Sequence, residues 1–203
     1  MVILTQYYTI LMAIDTLDES EQHAAWAVPR QVSNTEQSVQ QRRWEALTQE
    51  VEQVKDGLDL GIDQGIKQSV VAFRAYDFPT SQSCEGHLEG EHGNPYPWVE
   101  VYAPEPEDWQ ENEEKQKEWT IENLKQQQRM MGLLSEFYQN RDIPFDARLA
   151  FDKVGAFGGF RVQSMGAETM RLLTKEELEN RHQLYRKEMQ DFTAFLKEEF
   201  LKR

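Results

Sequence analysis

At 203 residues the chain is long enough to bury a core without staples, and its 39% hydrophobic and 11% aromatic content excludes wholesale disorder. The net charge of −14, from 36 acidic against 22 basic residues, makes nucleic acid an unfavoured partner, because such affinity comes from Lys and Arg neutralising phosphates. The single cysteine, Cys84, excludes an intrachain disulfide and fits a reducing compartment, so a cytoplasmic chain is expected.

Residues 1–33 read as an N-terminal extension and 34–203 as a single α+β domain. The opening MVILTQYYTILMAIDTL is apolar, yet the first basic side chain is Arg30, so the charged start of a signal peptide is missing. Thr5, Gln6 and Thr9 interrupt the run before it reaches the ~20 apolar residues of a membrane span, so no membrane partner is expected.

A first helix is predicted from near Asn34, with Trp44, Leu47, Val51, Val54 and Leu58 at helical spacing. Glycines between Gly57 and Gly65 interrupt it. A second helix is predicted from Asp63 as N-cap, carrying Ile62, Ile66, Val70 and Phe73, and ending before Pro79. Thr80–Ser83 reads as extended, the glycines from Gly86 to Gly93 as loop, and the alternation of Trp98–Tyr102 as a strand.

A long acidic helix is predicted from Glu107 to Tyr138, with Ile121, Leu124, Met131, Leu134 and Tyr138 on one face. Ala147–Lys153 and Phe160–Gln163 read as a hairpin. The last helix opens on the capping box Thr174-x-x-Glu177 and buries Leu178, Tyr185, Met189, Phe192 and Leu196. Together these give an α+β fold: a small antiparallel sheet of about four short strands against several long helices, with the helices on one face.

The chemistry concentrates in PTSQSCEGHLEGEHGNPYPW, Pro79–Trp98. Cys84 and His87 are the candidate catalytic pair, since a thiol becomes a nucleophile when an imidazole takes its proton. Thr80, Ser81, Ser83, Glu85, Gly86 and Trp98 are the candidate ligand-binding residues, with hydroxyls and loop amides able to hold a polar or anionic group. A metal is not favoured by the sequence; Cys84, His87 and His92 would be its ligands. The plain alternative makes Cys84 a small buried hydrophobe, Gly86 a tight turn and His87 a backbone hydrogen-bond partner.

Elsewhere Trp98 and Tyr102 read as core or pocket wall, Arg148, Lys153 and Arg161 as exposed cations or a local basic spot, and His182 as a surface residue. The sequence leaves any cofactor unknown. The lead reading is a protein that binds a small polar ligand or substrate at Thr80–Trp98, with His87 as proton donor or hydrogen-bond partner. The rival is a non-enzymatic protein whose acidic helix, Glu107–Glu122, docks a basic protein partner.

The segments Ile62-Asp63…Ile66…Val70…Phe73, Phe78-Pro79-Thr80-Ser81-x-Ser83-Cys84-Glu85-Gly86-His87 and Pro97-Trp98-Val99 resemble an uncharacterised family of small bacterial proteins bearing the motif P-T-x-x-S-C-E-G-H. The likeness spans roughly residues 60–165 and implies a helix, a Pro-Trp strand and a later hairpin. Thr80, Ser81, Ser83, Cys84 and Gly86 are also similar to the T-T-S-S-C-S-G-R hallmark of wybutosine-synthesis methyltransferases that modify transfer RNA. Glu85 stands where that hallmark has serine, and His87 where it has arginine. This second resemblance implies a shared scaffold on which an RNA-modification-like enzyme is an alternative reading.

Overall fold

The structure, a computed structural model, describes residues 34–55, 59–88 and 94–203, together with the backbone but not the side chains of 34–38. The expectations for residues 1–33, and those for Gly57, Leu58 and Glu89–Gly93, lie outside the described residues.

Among the described residues four strands form one antiparallel sheet: β1 (Thr80–Cys84), β2 (Trp98–Val101), β3 (Leu149–Val154) and β4 (Gly159–Ser164), in the order β1-β2-β4-β3. Four α-helices accompany it among the described residues: α1 (Asn34–Gln53), α2 (Lys67–Ala75), α3 (Glu113–Phe137) and α4 (Lys175–Leu201). The α+β architecture is therefore as the sequence implied. Among the described residues no helix is long and apolar enough to cross a membrane.

Strand alternation sorts the sheet into two faces. Val99, Val101, Phe160 and Val162 enter the main core, where they meet Phe73 of α2, Met130 and Leu134 of α3, and Met189, Phe192 and Leu196 of α4. Trp98, Glu100, Arg161 and Gln163 alternate with them and take the other face, with Trp98 opposite Gln163 and Glu100 opposite Arg161. A second, smaller core joins Cys84, Tyr96 and Trp98 to Ala147, Ala167, Met170 and Tyr185.

α2 is the central helix. Ser69, Val70, Val71, Ala72, Phe73 and Ala75 are all buried, as expected of a helix that is apolar nearly all round. It ends where Asp77 adopts φ +59° and Phe78 N–H returns to the Phe73 carbonyl at 3.1 Å, a Schellman-type closure just ahead of Pro79.

Several boundaries differ from the sequence reading, each for a local reason. The acidic helix starts at Glu113 rather than Glu107, because the Asn112 side chain accepts from Glu114 and Lys115 N–H at 3.0 and 3.2 Å, and Asp108 before it sits at φ +59°. Its buried stripe runs through Trp119, Asn123, Gln126, Met130, Leu134 and Phe137. Met131, expected inside, is 61% exposed. The stripe was obscured because polar residues occupy it: Asn123 accepts from Ala103 N–H at 2.8 Å and donates to the Phe157 carbonyl at 2.9 Å. The capping box at Thr174 and Glu177 is present as read.

Candidate functional site

The site begins with the turn that leads into α2. Asp63 is not the N-cap: that position falls to Ile66, which makes no side-chain cap bond. The Asp63 carbonyl instead accepts from Ile66 and Lys67 N–H, which turns the chain into the helix and leaves the carboxylate free to reach across to the end of β1. There Asp63 Oδ2 accepts from Glu85 N–H at 3.2 Å and from His87 Nε2–H at 3.1 Å.

β1 delivers Cys84 into the smaller core, opposite Trp98, and the chain then turns sharply. Gly86 makes the turn possible. Its φ is +85°, and a Cβ there would stand 2.8 Å from the Tyr96 carbonyl carbon. In this conformation Gly86 N–H donates to Cys84 Sγ at 3.4 Å. His87 N–H pairs with the Asn94 carbonyl at 2.9 Å, which fixes the backbone that carries the ring.

Three donor atoms from two segments thus meet: Asp63 oxygen, Cys84 sulfur and a His87 ring nitrogen all lie within 4.8 Å of one another. Cys84 is buried, while the side chains of His87 and Asp63 retain 36% and 35% exposure, so the cluster has a closed floor and an open rim. Burial pushes the Cys84 thiol up, and the Asp63 and Glu85 charges add to that, against the opposing pull of the Gly86 and Asn94 amides. The free thiol is therefore held protonated, which argues against a standing thiolate nucleophile.

Glu85 braces the cluster from outside. Its Oε2 accepts from Gly65 N–H at 2.5 Å and lies 3.8 Å from Arg186 Nη2 of α4.

The hydroxyls do not join the thiol and imidazole. Ser81 Oγ donates to Glu100 Oε1 at 2.8 Å, and Glu100 Oε2 accepts from Arg161 Nε at 3.0 Å. Thr80 pairs with Val101 and Ser83 with Val99, with a register irregularity between them. Trp98 is a wall of the smaller core, its indole 4.1 Å beneath the Arg161 guanidinium. Of the sequence candidates, Cys84, Glu85, Gly86 and His87 come together; Thr80, Ser81 and Ser83 serve the strand; His92 lies outside the described residues.

On the hairpin, Arg161 and Lys153 make no common spot. Arg161 faces Asp152 across the pair and Lys153 faces Phe160, which places them on opposite sides of the sheet. His182, read as a surface residue, is buried and its Nδ1–H donates to the Pro95 carbonyl at 3.0 Å. A separate hollow of about 490 Å³ lies at the opposite edge of the sheet, lined by Met131, Leu134, Tyr138, Leu149 and Phe151 among others.

Sequence reasoning missed Asp63 as a site residue, because an aspartate just before a helical stripe reads first as a cap. The pairing of buried Glu100 with half-buried Arg161 was also missed, since isolated charges on strands are ordinarily solvated. No family model matches the chain, and no curated protein and no solved structure shows a significant match to it.

Proposed function

We propose that this chain is a cytoplasmic protein that binds a small polar ligand or substrate at the rim formed by Asp63, Cys84 and His87. The observation that carries the reading is the convergence of three chemically different side chains, from segments far apart in sequence, within 4.8 Å. His87 supplies a ring nitrogen for hydrogen bonding, Asp63 orients it, and the half-exposed rim admits the ligand. Cys84 forms the floor.

The rival reading, an acidic helix docking a basic partner, finds less support. The acidic surface of α3 is partly neutralised on its own helix, by Lys115 on Glu118 at 2.9 Å and Lys125 beside Glu122 at 3.9 Å.

The test is a titration of ¹⁵N-labelled protein with small polar fragments: carboxylates, amides and alcohols. Shifts confined to the amides of Gly65, Glu85, Gly86, His87 and Asn94 are the expected result. Fragments that leave those amides unmoved, or that collect only in the hollow beside Met131 and Phe151, would overturn the reading.

A further inference from the structure

This inference rests on the binding site just described and names what its inner end holds. We infer that Asp63, Cys84 and His87 are three ligands of a zinc-type divalent cation, with a fourth, open position facing the rim.

The spacing fits. Bonds of about 2.0–2.3 Å to a tetrahedral ion place ligand atoms about 3.3–3.8 Å apart. Asp63 Oδ2 and His87 Nε2 already stand 3.1 Å apart, and the cation would take the place of the proton between them. No pair in the cluster exceeds 4.8 Å, so closing onto an ion needs side-chain adjustments of about an ångström rather than backbone rearrangement.

The sulfur's surroundings point the same way. Cys84-x-x-His87 folds so that Gly86 N–H donates to Sγ at 3.4 Å. A neutral thiol in an apolar core has little use for an amide donor. A metal-bound thiolate does, because N–H···S bonds spread its negative charge. Gly86 at φ +85° is the residue that permits this geometry.

An outer layer is also present. Glu85 N–H holds the Asp63 carboxylate, and the His87 backbone is pinned to Asn94. Partners of this kind fix ligand orientation before the ion arrives. The donor set selects the ion: one sulfur, one imidazole nitrogen and one carboxylate oxygen suit a borderline ion such as zinc. Magnesium and calcium call for oxygen ligands in greater number. Three protein ligands with one open position is the arrangement of a zinc ion that engages a further ligand. The polar molecule admitted at the rim would then complete the coordination.

The full chain, stripped with chelator, is titrated with cobalt(II) and then with zinc. One equivalent of cobalt should give the visible bands of tetrahedral coordination and a near-ultraviolet thiolate-to-cobalt charge-transfer band, and zinc should displace both. Cys84→Ser should abolish the charge-transfer band. Asp63→Asn and His87→Gln should each weaken zinc by more than the roughly 10–100-fold typical of an outer-layer change. Circular dichroism confirms that each variant is folded. The wild-type spectrum decides the matter even where a variant fails to fold: no charge-transfer band at saturating cobalt overturns the inference. Unchanged zinc affinity in folded Cys84→Ser does the same. Fragment shifts at Glu85–His87 without zinc binding would remove the cation and leave the ligand site, whereas zinc binding with no fragment response would do the reverse.

Discussion

Asp63 and Glu85 exchange support across two loops: Asp63 Oδ2 accepts the Glu85 amide at 3.2 Å, while Glu85 Oε2 accepts the Gly65 amide at 2.5 Å. Each carboxylate thus fixes the backbone beside the other, and the turn before α2 is tied to the end of β1. Replacing either should loosen both loops. Glu85→Ala is expected to cost about 1.5–3 kcal/mol, as for a hydrogen bond to a charged group. Hydrogen exchange at Gly65 and at Glu85 should quicken together in that variant. Exchange that quickens at one amide alone would mean the two loops are held independently.

Gly86→Ala should be destabilising although it adds only a methyl group. The residue sits at φ +85°, and the new Cβ would meet the Tyr96 backbone at 2.8 Å. The left-handed conformation alone costs about 1–2 kcal/mol, and the clash adds to it. Urea denaturation measures the loss. A variant as stable as the wild type would show that the turn can be made another way.

Arg141 joins the end of α3 to α4. It reaches Glu188 at 2.6 Å and Asp191 at 3.1 Å, and its guanidinium lies 4.3 Å from the Phe137 ring centroid. Glu188 is buried and is otherwise held by the Tyr138 hydroxyl at 2.9 Å. Arg141→Met should cost about 3 kcal/mol near pH 7, because it strands a buried carboxylate.

The pH dependence of that loss has a definite sign. Burial alone would raise the Asp191 carboxyl, but Lys187 and Arg141 outweigh it and hold it below its ordinary value. A lowered folded pKa stabilises above the unfolded value, about 3.9, and the contribution is lost as pH falls through the folded value. The difference between wild type and Arg141→Met should therefore shrink below about pH 4. A difference that stays constant down to acid pH would exclude the carboxylates as its source.

His182 is a structural tie between α4 and the segment before β2. Its Nδ1–H donates to the Pro95 carbonyl at 3.0 Å, and the residue is buried. His182→Phe keeps the ring and leaves that carbonyl unpaired, at a cost of about 1–3 kcal/mol. Thermal melting of the variant checks this, and an unchanged midpoint would mean that the contact is incidental.

Much of the fold was legible because its signals are local. The Thr174 capping box, the strand read at Trp98–Tyr102 and the proline after Phe78 each act within a few residues; the capping box is present as read, and the strand runs over Trp98–Val101, one residue shorter. What escaped depends on distant partners. Asn123 lies on the buried stripe of α3 because the Ala103 amide and the Phe157 carbonyl satisfy it, which residue type alone does not reveal. Glu100 is buried because Ser81 and Arg161 come to it from neighbouring strands.

The candidate site divides in the same way. Cys84, Gly86 and His87 were visible as one motif because a single tight turn joins them. Asp63 was hidden, since its part in the site exists only once the turn before α2 docks on the end of β1.

The most direct measurement is a crystal structure of the zinc-soaked chain with anomalous scattering recorded at the zinc edge. One peak is predicted about 2.0–2.3 Å from Cys84 Sγ, a His87 ring nitrogen and an Asp63 carboxylate oxygen, with a water or small molecule as the fourth neighbour. Those three side chains turned away from one another, with zinc elsewhere or nowhere, would contradict it.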